Sequence, residues 1–212
     1  MAEGMAMSWV ALLTLGAFHG INPGMGWLFA VALGMQERRR GAVLRSLLPL
    51  GAGHALAVAA AILLAVAAGA IVPMQYLRWP VAAILIAFAI AHLVRHRHPR
   101  WASMRVGMGR LTLWSFLMAS AHGAGLMVVP VFLGMTVTAG FHSHHAIPGS
   151  MYATTALLAT LLHAAAYLVV TAVVAVLVFE KFGVAMLRKA WINLDLLWAV
   201  ALAATGLLIL FI

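Results

Sequence analysis

The sequence contains no cysteine. Thiol–disulfide relays, iron–sulfur clusters and thiolate metal sites are therefore excluded. Acids are nearly as scarce: Asp and Glu together number 4 in 212 residues, against 13 Lys and Arg. Charged residues make up 8% of the chain and hydrophobic ones 66%. A soluble domain carries roughly a quarter charged residues, so this chain cannot cover itself with a polar surface. A Gly-rich phosphate-binding loop is also missing, so any dependence on ATP would come from a partner subunit.

What is present is apolar sequence in long runs. Six stretches are long enough to approach or cross a hydrocarbon core, which needs about 20 helical residues: Trp9–Leu33, Ala42–Val72, Pro80–Val94, Leu111–Val137, Met151–Phe179 and Trp191–Ile212. They are continuous and rich in Ala and Leu, unlike the short alternating segments of a membrane β-barrel. Residues before Ser8 include Glu3 and no basic residue, so the first run reads as a retained span rather than a cleaved signal. The sequence thus predicts an all-α integral membrane protein with six transmembrane helices.

The net charge of +9 is distributed as a membrane protein distributes it, in short clusters between apolar runs, which argues against nucleic acid as a partner. Arg38, Arg39, Arg40 and Arg45 follow the first span. Arg95, Arg97, Arg100, Arg105 and Arg110 follow the third, and Lys181, Arg188 and Lys189 the fifth. Every Lys and Arg except Arg78 then falls on one side, which the positive-inside rule assigns to the cytoplasm. Both termini are expected outside it, in a bacterial inner membrane. Trp9, Trp79, Trp101 and Trp191 lie near span ends, as interfacial aromatics do.

The halves 1–103 and 104–212 resemble one another. Phe18-His19-Gly20 followed by Gly34-Met35 parallels Ala121-His122-Gly123 followed by Gly134-Met135, and Gly53-His54-Ala55 parallels Leu162-His163-Ala164. Three spans per half would set the halves upside-down, giving a 3+3 inverted repeat, a plan that places transporter sites at the midplane. His19, His54, His122 and His163 each lie about eleven or twelve residues into a span. At about 1.5 Å per residue this is roughly 17 Å, the middle of a bilayer.

A polar side chain at that depth needs a partner or a cavity. The ordinary reading is a hydrogen bond across a helix pair. Four histidines in two related pairs at matched depth favour a shared site instead. His19-Gly20-Ile21-Asn22-Pro23-Gly24-Met25-Gly26 predicts a break or kink in the first span, with Asn22 and freed carbonyls near it. Neutral imidazole suits Ni, Co, Cu and Zn, and thioethers suit Cu(I). Met25 and Met127 are accessory candidates, although methionine is more often apolar filler. His142, His144 and His145 form a second candidate cluster outside, and His92, His96 and His98 a weaker one inside. Asp195 is the one acid expected within a span, more readily paired at the interface than coupled to protons.

The string from His19 to Trp27, the arginine-bearing loop, and Gly53-His54-Ala55-Leu56-Ala57-Val58 together resemble the nickel/cobalt exporter family of the lysine-exporter-like superfamily. The resemblance covers about 50 residues directly and the rest of the chain only through the repeat. It implies export of divalent cations, with His19 and His54 at metal-handling positions. Where that family has Asp-His or Gly-His after the proline, this sequence has Gly24-Met25. The expected function is a transition-metal transporter, not an enzyme, with the ion at His19, His54, His122 and His163. Two alternatives stand beside it: a haem-binding or metal-dependent membrane redox protein, and an organic-solute exporter using histidine proton relays. A homo-oligomer or a partner subunit is compatible with each.

Overall fold

The computed structural model describes residues 2–69, 74–94, 107–142, 149–182 and 194–211. Among these residues the chain is entirely helical, with no strand. Helix α1 spans Ala2–Ile21, α2 Trp27–Glu37, α3 Arg40–Gly69 and α4 Met74–Val94. Then come α5 Met108–Ala121, α6 Ala124–His142, α7 Gly149–Leu177 with a π-turn Val178–Phe182, and α8 Leu194–Phe211. Among the described residues two helices are long and apolar enough to cross a membrane, Arg40–Gly69 and Tyr152–Lys181, and a third crossing results if α5 and α6 form one bent span. Met5–Ile21 and Trp79–Ala91 are shorter apolar helices.

The first expected span is broken where its sequence requires it. Proline disfavours helical backbone at the residue before it, and Asn22 is accordingly extended (φ −68°, ψ 120°). Its Oδ1 accepts from the Gly24 amide at 2.8 Å, capping a single 3-10 turn, Pro23–Met25. Gly26 then takes φ 139°, a conformation that side chains rarely tolerate, and restarts the chain as α2. Helix α2 stops at Arg38 in the left-handed region, where the Arg39 amide returns to the Gly34 carbonyl.

The fourth expected span is broken at the matching place. Helix α5 ends at His122, Gly123 takes φ 71°, and α6 leaves at 62° to α5. The third span differs at its start: α4 begins at Met74, so Pro80 lies inside the helix.

The most extensive interfaces pair α1 with α7, α3 with α5 and α4 with α8. Small residues allow the first two. A Cβ on Gly16 would overlap the His163 carbonyl oxygen, one on Gly20 would lie 2.6 Å from the Tyr167 carbonyl oxygen, and one on Gly53 would overlap the Thr112 carbonyl oxygen. Such close approach is how helices associate where lipid offers no hydrophobic drive. Outward faces stay apolar, with Leu48 77% and Leu64 72% exposed. A helix apolar all round suits lipid, not water.

Two ion pairs close one end of the bundle. Arg45 holds both carboxylate oxygens of Glu37 at 2.8 Å, and Arg40 reaches Glu180 at 3.0 Å. Both pairs are substantially exposed, so each adds about 1 kcal/mol or less. Their interest is positional: the second joins the start of α3 to the π-turn after α7.

Candidate functional site

Three helices each deliver a histidine to one fully buried point. His19 comes from the last turn of α1, His54 from the middle of α3 and His163 from the middle of α7. Their ring centroids form a near-equilateral triangle: 5.5 Å between His19 and His54, 5.1 Å between His19 and His163, and 5.3 Å between His54 and His163. The glycines that let α1 approach α7 are thus what bring His19 to His163.

Backbone carbonyls set the state of the rings. His163 Nδ1 donates across the interface to the Leu12 carbonyl at 3.1 Å, and His19 Nδ1 donates to the Leu15 carbonyl one turn back at 2.5 Å. A carbonyl only accepts, so each Nδ1 carries the proton and each lone pair is on Nε2. A second bond of this kind is the usual support for a metal-binding histidine. His54 has no such tether: both of its ring nitrogens are buried without a hydrogen-bond partner, as is Nε2 of His163. Each such nitrogen costs on the order of 1–3 kcal/mol.

His54 is held by stacking. The Tyr167 ring lies parallel to it, centroids 3.9 Å apart and planes within 9°. Tyr167 is itself fully buried, and its hydroxyl donates to the Met25 carbonyl at 2.6 Å. A buried tyrosine needs such a partner. This residue was not singled out from sequence, although a lone tyrosine one turn after His163 was the available signal.

His122 lies on the other side of the 3-10 turn. It is 9% exposed and its Nδ1 donates to the Met118 carbonyl at 2.8 Å, the same one-turn-back bond that His19 makes. Its Nε2 faces Gly24: a Cβ there would lie 3.7 Å from it. Three rings of the expected quartet are in mutual contact, and the fourth, His122, lies against the Asn22–Gly26 break, near enough to His19 to act on it electrostatically.

The accessory residues divide. Asn22 uses its side chain to cap the turn. The freed carbonyls of Ile21 and Met25 are taken by the Trp27 indole, at 2.8 Å, and by Tyr167. Met25 and Met127 are buried together in the apolar cluster that contains Tyr167. His142 ends α6, and His92 and Asp195 lie in α4 and α8, but their side chains are outside the described residues. His96, His98, His144 and His145 lie outside them altogether.

Among the described residues no group of three or more His, Cys, Asp or Glu is arranged to hold a metal ion. Ring planes explain this better than distances. Two imidazoles on one metal at about 2.0 Å have centroids about 5 Å apart, close to what is seen. The His54 and His163 planes, however, are within 8° of parallel. In-plane lone pairs on separate parallel planes do not meet at a common point. Rotation of one ring is needed before all three converge, and His54 has no hydrogen bond to break, only its stack on Tyr167 to slide across.

Set against known protein families, curated proteins and solved structures, the chain matches none.

Proposed function

We propose that the chain is a multi-pass membrane transporter of a transition-metal cation, with the His19–His54–His163 trio as its substrate site. The observation that carries the reading is His54, whose two buried nitrogens have no partner. A merely structural histidine would be tethered like its neighbours. A cation that sheds water in the membrane needs lone pairs that nothing else has claimed.

The six-span, 3+3 inverted-repeat plan is part of the proposal. In its favour, α1 and α5 both break beside a histidine bonded one turn back. The main interfaces also exchange correctly, since swapping the halves turns the α1–α7 pair into the α5–α3 pair and α4–α8 into itself. The Arg40–Glu180 pair joins two ends that this plan puts on one side, and the positive-inside rule favours the cytoplasm for that side, with both termini outside. Rocking of one half against the other would expose the trio alternately, and the family resemblance favours export. Rings already in mutual contact leave no plane for a porphyrin, which weighs against haem.

The test is metal flux through proteoliposomes containing the purified protein. Transport of a transition-metal cation by the native chain and its loss in His54→Phe supports the reading. Undiminished transport by that variant overturns it.

A further inference from the structure

Resting on the transporter reading, we infer that the transported ion is a soft monovalent cation, Cu(I) or its analogue Ag(I), held by two imidazoles of the trio and a thioether from Met25 or Met127, and not the divalent ion that the family resemblance implies.

Charge is the first ground. The donors that meet at this point are neutral imidazoles, two of them locked as Nδ1–H tautomers by backbone carbonyls. The acids whose side chains are described, Glu37 and Glu180, are each bound to an arginine at one exposed end of the bundle. The cost of placing an ion in a low-dielectric interior rises with the square of its charge. A neutral cage therefore penalises a dication about fourfold more than a monocation.

Coordination number is the second. Nickel, cobalt and zinc sites use four or more donors, whereas Cu(I) is satisfied by two or three. The described residues offer no ready group of three or more His, Cys, Asp or Glu, and the parallel His54 and His163 rings cannot share one ion as they stand. His19 is inclined to both, at 67° and 71°. Its plane, unlike theirs, crosses the planes of both partners, so an ion shared with either one is not barred by parallel rings.

Softness is the third. Met25 and Met127 are 2% and 1% exposed and pack in one cluster with Tyr167, the residue stacked on His54. Thioethers select Cu(I) over the harder divalent ions.

The experiment is anaerobic binding to the full chain in detergent. Cu(I) and Ag(I) are measured by competition with a chromophoric chelator, and Ni(II), Co(II) and Zn(II) by equilibrium dialysis. The inference expects stoichiometric Cu(I), bound on the order of 100-fold more tightly than any of the dications. It also expects a loss of about tenfold or more in Met25→Leu/Met127→Leu, a volume-conserving change that leaves the core filled. A dication bound as tightly as Cu(I) overturns the inference while leaving a metal transporter. Full Cu(I) affinity in the double variant overturns the inferred donor set. No binding of any metal overturns both the inference and the reading beneath it.

Discussion

His54 and Tyr167 lie face to face, their ring centroids 3.9 Å apart, and the Tyr167 hydroxyl ends on the Met25 carbonyl. One side chain on α7 thereby connects a histidine on α3 to the break between α1 and α2. A rotation of His54 that brought its lone pair toward His19 would slide it across the Tyr167 ring. If an ion binds as proposed, this contact would link its binding to the position of the broken span.

Replacing His54 separates stability from function. His54→Phe keeps the stacked ring and removes two unpartnered buried nitrogens. Relief of these two costs, offset by about 1–3 kcal/mol for fitting the larger ring, should leave the variant more stable in detergent by about 1–3 kcal/mol, while metal binding and transport are lost. A variant that is destabilised and still transports would show that the histidine is structural.

Tyr167→Phe keeps the stack and deletes the hydroxyl's bond to the Met25 carbonyl together with its contacts to Ser115 and Thr171. The Met25 carbonyl is then buried without its partner, and stability should fall by about 1–3 kcal/mol. Metal stoichiometry should stay intact because no ligand is lost, and transport should slow as the turn loses its tether. Thermal unfolding, elemental analysis and flux on one preparation distinguish these effects.

Close helix approach is tested at two glycines. Gly53→Ala drives a methyl group into the Thr112 carbonyl and should cost about 1–3 kcal/mol through overpacking between α3 and α5. Gly41→Ala, at an exposed helical position with open space around it, should instead stabilise by about 0.5–1 kcal/mol. Equal effects at the two sites would contradict the packing described for α3.

The absence of native cysteine makes orientation directly measurable. Single cysteines replacing Arg40 and Glu180 should react with a membrane-impermeant thiol reagent from the cytoplasmic side, and a cysteine replacing exposed Met7 from the other. Labelling of Arg40→Cys and Glu180→Cys from opposite sides would break the orientation and the 3.0 Å pair together.

Much of this site was legible in the sequence because membrane depth constrains so few residues. A histidine in an Ala/Leu run is conspicuous, and counting residues into a span placed His19, His54 and His163 at one level. The break after His19 followed from Asn22-Pro23-Gly24, where backbone chemistry is local. What sequence could not supply was rotation about the helix axes. Depth groups His122 with the others; the 62° bend and the Gly123 backbone set its Nε2 against Gly24, still within electrostatic reach of His19. Tyr167 went unmarked because its role depends on a partner on α3 and a carbonyl on the turn, both remote in the chain. Asn22 reads as a ligand from its type, yet its side chain is used to cap the turn.

The most direct measurement is metal content per chain. Native protein and His54→Phe are each equilibrated with transition-metal ions, Cu(I) included, stripped of excess and analysed elementally. Near-stoichiometric metal on the native chain and its absence from the equally folded variant is the expected result. A native chain that retains no metal, or a variant that retains as much as the native chain, would contradict a substrate site at the histidine trio.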